Sequence, residues 1–186
     1  MLEQTFILNN LAMAENLAKK IANVIVADFV VTLHGDLGVG KTTLTRYILQ
    51  NMGVEGPIKS PTFTLVEPYH VKNDGNLELA REYTFGNNEM MDSSQIRNDI
   101  ALYHFDLYRF NDPEEWFYAG FDEYFVKDSI CFIEWADKAI TLIPRIDWEV
   151  VLVMDEGMDY LRILTIKTKT KKGEMCLKQL IRQDEV

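Results

Sequence analysis

Gly35-Asp36-Leu37-Gly38-Val39-Gly40-Lys41-Thr42-Thr43 is the stretch that decides the fold. It fits G-x-x-x-x-G-K-[ST], a glycine-rich turn closed by a lysine and a hydroxyl residue. Ahead of it, Phe29-Val30-Val31-Thr32-Leu33 is a nearly continuous apolar run, the mark of a strand covered on both faces. Behind it, Leu44, Tyr47, Ile48 and Met52 recur at helical spacing, and Gly53 stands where a helix commonly terminates. Strand, turn and helix are present in the order that gives the motif its specificity.

The residue types follow from phosphate chemistry. Several backbone N–H groups must aim at one point, and glycines let the chain wrap that closely without Cβ clashes. The first turn of the next helix adds unpaired N–H donors and the positive end of its dipole. Lys41 is placed to reach the β- and γ-phosphates of a nucleotide, and the Thr42 hydroxyl to ligate Mg²⁺. A turn that binds nothing has no need of Lys followed by Thr at this register.

The 186 residues suit one domain with a sizeable core. Nineteen basic against 29 acidic residues give a formal charge of −10, unlike the basic footprint of a chain that binds DNA or RNA by itself. No apolar run approaches membrane-spanning length, and the opening Met1-Leu2-Glu3-Gln4-Thr5 lacks the features of a secretory signal. Cys131 and Cys176 are too few for a disulfide framework, so the expected location is cytoplasmic.

Around the central unit, Phe6-Ile7-Leu8 reads as a short edge strand. Asn9 or Asn10 caps a helix with apolar positions Leu11, Ala14, Leu17 or Ala18, Ile21 and Ile25. The loop Gly56 to Thr62 leads into a strand pattern from Phe63 to Tyr69. Residues 71–100, rich in acids and turn formers, read as a long excursion inserted between neighbouring strands. Leu102 to Phe110 reads as a strand, Asp112-Pro113-Glu114-Glu115 as a helix start and Ser129 to Ile133 as a buried strand. Trp148 to Met154 and Tyr160 to Thr168, with no helix between them, read as an antiparallel pair at the sheet edge, and Glu174 to Ile181 as a last helix. The alternating Lys167, Lys169, Lys171 and Lys172 read as protection of that edge.

Glu134 closes an apolar strand, where a carboxylate can hold Mg²⁺ opposite the loop threonine. Asp106 is its competitor, suited to bind the metal or orient the attacking water, and equally suited to pair with Arg109. Thr62 sits where a switch threonine senses the γ-phosphate, or simply where a strand begins. Lys59 and Arg46 are candidate phosphate partners or solvated charges. His104 reads as packed rather than catalytic. Most of Trp116, Phe117, Tyr118, Phe121, Tyr124 and Phe125 reads as core.

Four blocks taken together resemble the TsaE (YjeE) family, the small bacterial P-loop ATPases of tRNA threonylcarbamoyladenosine (t6A) synthesis. They are the 35–43 loop, Lys59-Ser60-Pro61-Thr62-Phe63-Thr64-Leu65-Val66, Tyr103-His104-Phe105-Asp106-Leu107-Tyr108-Arg109 and Ile133-Glu134-Trp135. Asp112 to Glu115 and Gly120 to Phe125 match as well. The resemblance implies an α/β fold, a P-loop NTPase-like three-layer sandwich whose mixed sheet has an antiparallel C-terminal edge, with residues 1–186 as one P-loop ATPase domain. It implies ATP or ADP held by Asp36, Leu37, Gly38, Val39, Gly40, Lys41, Thr42 and Thr43, with Asn10 and Leu11 beside the adenine and Mg²⁺ on Thr42 and Glu134. Lys41, Asp106 and Thr62 are the expected catalytic set, with Lys59 to Thr62 as a switch. The implied partners are the TsaB and TsaD proteins, with tRNA met indirectly through their complex and neither membrane nor DNA bound. The sequence departs from the family pattern at residues 71–100, where a short turn is usual. The rival reading is a small P-loop nucleoside or metabolite kinase; such enzymes carry an arginine-rich lid, and no arginine cluster occurs here.

Overall fold

The computed structural model describes residues 1–72, 99–155, 157, 158 and 160–183. At its centre β2 (Phe29–His34) runs into the glycine loop and then α2 (Lys41–Asn51). Five of the six residues of β2 are buried, as the apolar run requires. Gly53 follows α2 at φ 96°, and the amides of Gly53 and Val54 return to the carbonyls of Gln50 and Leu49. That left-handed step ends the helix where the sequence placed its stop.

Seven strands form one sheet in the order β1-β7-β6-β2-β5-β4-β3. Here β1 is Glu3–Leu8, β3 Val66–Lys72, β4 Asp99–Asp106, β5 Ser129–Glu134, β6 Trp148–Met154 and β7 Arg162–Thr168. The middle four, β6, β2, β5 and β4, are parallel, while β3 joins β4, β7 joins β6 and β1 joins β7 antiparallel. Strand alternation divides the core in two. Phe29, Val31, Leu33, Leu102, Ile130 and Phe132 point towards α1 (Leu11–Ala22), α2 and α4 (Lys171–Arg182). Val30, Phe105, Cys131 and Ile133 point to the opposite face, towards Trp116 of α3 (Glu114–Tyr118) and Phe121. Two helical layers therefore enclose a mixed sheet.

Several helix starts follow their local signals. Asn10 caps α1, its Oδ1 accepting from the Met13 amide at 2.9 Å, and Lys19 and Lys20 lie in the last turn, at the negative end of the dipole. Asp112 accepts from the Glu114 amide at 2.9 Å as α3 begins. Buried Asp147 ties three elements together: Oδ2 accepts from the Val30 amide at 3.0 Å and from Arg145, and Oδ1 from the Thr170 hydroxyl that caps α4. Trp116 and Phe121 are buried as expected of core, whereas Phe117 and Tyr118 are exposed.

Three expectations need correction, and a fourth cannot be followed in full. Pro61 to Leu65 is a turn, closed by Leu65 N–H to Pro61 O with Leu65 at φ 65°, so β3 starts at Val66 rather than Phe63. Strand β4 ends at Asp106, because the Tyr108 amide turns back to Asp106 Oδ1 at 3.1 Å. The lysines after Lys167 do not guard an edge: β1 pairs with β7 along its outer side, opposing Glu3 to Lys167, Lys169 pairs with Glu149 at 2.8 Å, and Lys171 and Lys172 open α4. The excursion expected over 71–100 lies, from 73 to 98, outside the described residues, and its two ends belong to β3 and β4.

Lys72 stands opposite Asp99 in that antiparallel pair, which is the geometry a two-residue turn closes. Replacing residues 73–98 by Asn-Gly should therefore leave nucleotide affinity unchanged in a calorimetric titration. Loss of binding in a folded variant would show that the segment supports the site.

Candidate functional site

The parallel strands β2, β4 and β5 end side by side, beside the crevice where open α/β sheets hold their ligands. Gly35, Gly38 and Gly40 carry φ of 134°, 79° and 114°, a conformation that other residues resist. At Gly35 a Cβ would also run into the Leu152 carbonyl, so the missing side chain lets the loop lie against β6. The first amides of α2 have no intrahelical acceptor and are directed into the loop.

Lys41, 4% exposed, folds back across the loop. Its Nζ donates to the carbonyls of Gly35 at 2.6 Å and Asp36 at 2.9 Å, and lies 4.0 Å from the centroid of the Trp135 ring. Burial lowers the pKa of this ammonium, opposed by the charges of Glu134, Asp106, Asp36 and Asp137. Burial likewise pushes His34, at the end of β2, below its usual value, with Glu149 the largest opposing charge.

Parallel register sets Asp106 of β4 directly beside Glu134 of β5. The Thr42 hydroxyl donates to Glu134 Oε2 at 2.9 Å, while Glu134 Oε1 lies 2.8 Å from His104 Nε2. Asp106 Oδ2 accepts from the hydroxyls of Ser60 at 2.5 Å and Thr62 at 2.6 Å, which binds the 56–62 loop to the sheet. Both carboxylates are buried, at 3% and 2% exposure. A cleft of about 270 Å³ opens among them, walled by the loop, Ser60, Thr62, Tyr108 and Trp135. Two hard oxygen donors, one ammonium and a set of free amides thus converge on one space, a combination suited to a polyphosphate and a small divalent cation.

A family model described as the threonylcarbamoyl adenosine biosynthesis protein TsaE matches residues 8–161. The chain belongs to the TsaE family. Among its TsaE relatives is the tRNA threonylcarbamoyladenosine biosynthesis protein of Haemophilus influenzae, 39% identical over 144 residues that cover 77% of this chain and 73% of that one. The TsaE of Bacillus subtilis is 32% identical over 157 residues, 84% of this chain and 80% of its own. The crystal structure of Bacillus subtilis YdiB matches with a TM-score of 0.70 at 25% identity, covering 98% of this chain and 97% of that one. The architecture is accordingly the P-loop NTPase-like fold of the TsaE family. Among the described residues no helix is long and apolar enough to cross a membrane.

Within this TsaE-family site the structure gathers Leu37, Gly38, Gly40, Lys41, Thr42, Thr43, Thr62, Asp106 and Glu134 around one cleft. Asp36 and Val39 belong to the loop's frame: the Asp36 carbonyl holds Lys41, and the Val39 carbonyl accepts from Arg162 Nε at 3.1 Å. Asn10 and Leu11 do not line the cleft. The Asn10 side chain caps α1, and Leu11 is 66% exposed. Leu8, just before them, pairs in register with Arg162, which puts the start of α1 next to the loop. The ion pair weighed for Asp106 and Arg109 does not form; Arg109 lies 4.1 Å over the Phe63 ring. Nor does Arg46 reach towards phosphate, since its Nε donates to the Ile58 carbonyl at 2.8 Å and anchors the 56–62 loop to α2. Lys59 is exposed outside the cleft. Sequence reasoning missed Ser60 as a second hydroxyl on Asp106, Trp135 as the ring against Lys41, and the contact of His104 with Glu134. Parity carried the last signal, because His104 and Asp106 are two residues apart on one strand.

Proposed function

We propose that this chain binds ATP with Mg²⁺ at the 35–43 loop and hydrolyses it in the cytoplasm as the ATPase of tRNA t6A biosynthesis. TsaB and TsaD proteins are its partners, and tRNA is met through their complex. Family membership supports the pathway, and the contact of Thr42 with Glu134 at 2.9 Å beside Lys41 carries the site. The net charge of −10 favours a protein partner over direct contact with tRNA phosphates.

In this reading the loop amides and the start of α2 cradle the α- and β-phosphates, with Asn10 and Leu11 near the adenine. Lys41 exchanges its two carbonyl partners for phosphate oxygens, a stronger, charge-assisted pairing. Thr42 and Glu134 are the residues that would hold Mg²⁺. Bound there, the ion would supply positive charge against the negative charge that builds as the terminal P–O bond breaks. Asp106, one strand away from Glu134, orients the attacking water and takes its proton as ADP and phosphate form. Thr62 and Ser60 close over the γ-phosphate, and their present bonds to Asp106 record the same loop tied back to the sheet.

Phosphate release measured alone and with TsaB and TsaD tests the proposal. Hydrolysis that depends on Mg²⁺ and rises when both partners are added is expected. No release even with the partners would leave only a nucleotide-binding module, and transfer of phosphate to a small acceptor would make the chain a kinase.

A further inference from the structure

His104 is fully buried in β4, two residues before Asp106, on the sheet face that α2 covers. Its Nε2 lies 2.8 Å from Glu134 Oε1, and the other oxygen of that carboxylate accepts the Thr42 hydroxyl at 2.9 Å. The two ring nitrogens differ sharply, because Nδ1 is sealed from solvent with no hydrogen-bond partner among the described residues. A hydrogen there would be a buried donor with nothing to accept it, whereas a lone pair is cheaper to leave unmatched. The ring hydrogen therefore belongs on Nε2, donated to Glu134.

Torsion about the last bond of a glutamate is broad, so a carboxylate held at one oxygen by a hydroxyl alone samples many orientations. We propose that His104 is a positioning residue for Glu134: its Nε2–H pins Oε1 and thereby turns Oε2 towards Thr42 and the magnesium position. This rests on the assignment of Mg²⁺ to Thr42 and Glu134 made above. His104 touches neither nucleotide nor water in this role. It sets the direction of the oxygen that does the binding, and outer partners of this kind alter metal affinity by about 10- to 100-fold when removed.

Two substitutions separate positioning from packing. In His104→Gln the side-chain amide nitrogen falls near the place of Nε2 and can still donate to Glu134. In His104→Asn it falls near Nδ1 and cannot reach. Calorimetry with a non-hydrolysable ATP analogue on the full chain reads affinity in EDTA and the magnesium concentration that half-saturates its enhancement. His104→Asn should raise that concentration about tenfold or more, leave the affinity in EDTA unchanged, and be largely rescued in His104→Gln. Equal loss in both variants, loss of the EDTA affinity in parallel, or an unchanged magnesium requirement in His104→Asn overturns the role. Nitrogen-15 spectra of histidine-labelled wild-type protein give a reading independent of variant folding. A hydrogen on Nε2 of His104 is expected, and a ring carrying it on Nδ1 instead overturns the proposal. Should wild-type binding ignore magnesium altogether, the assignment of the ion to Thr42 and Glu134 fails first, and this role falls with it.

Discussion

Lys41→Ala should lower ATP hydrolysis about 100-fold or more and abolish ATP-dependent support of t6A formation in a reconstituted system, with the fold intact. The magnitude follows from removing a charged donor aimed at developing negative charge. Structure explains why the fold survives. The ammonium gives up hydrogen bonds to Gly35 and Asp36 and its contact with Trp135, but the cost of burying its charge disappears with it. Circular dichroism and thermal melting should therefore match wild type while phosphate release is lost. Activity within a fewfold of wild type would remove Lys41 from the chemistry.

Glu134→Gln should have the second largest effect, cutting magnesium-dependent hydrolysis about 100-fold. The substitution keeps the size of the side chain and an oxygen that can accept from Thr42 or His104, but removes the negative charge a cation needs. Asp106→Asn supplies the contrast. Its oxygen can still hold Ser60 and Thr62, so binding of Mg²⁺ and nucleotide should persist while turnover falls. Magnesium titrations of phosphate release on both variants read the difference. A fully active Glu134→Gln beside an Asp106→Asn that no longer responds to magnesium would exchange the two roles.

What could be read from the sequence was local. The strand, loop and helix around residues 29–53, the Asn10 cap and the buried strand ending in Glu134 each carry their signal within a few neighbours, by periodicity or by turn chemistry. What could not be read depends on segments far apart in the chain. Pairing of β1 outside β7 is set by which strand lies nearest after folding, so the lysines near Lys167 read as edge protection in the sequence although Glu3 lies opposite. Local spacing offers Arg109, three residues on, as a partner of Asp106, whereas the side chains that bond it lie 44 to 46 residues away, at Thr62 and Ser60. His104 reads as packed and is buried, yet packing and contact with Glu134 coincide there because parallel register carries β4 alongside β5. The early end of β4 and late start of β3 have one cause: the Asp106 amide donates to Leu65 O and the Asp106 carboxylate gathers the turn residues on either side.

Everything proposed for this TsaE-family chain depends on a triphosphate seating in the 35–43 loop with a divalent ion between Thr42 and Glu134. Isothermal titration of ATP into the full chain, with and without magnesium, tests this most directly. One-to-one saturable binding that strengthens with Mg²⁺ is the predicted result; no detectable association with any purine nucleotide at any magnesium concentration, on folded protein, would contradict it.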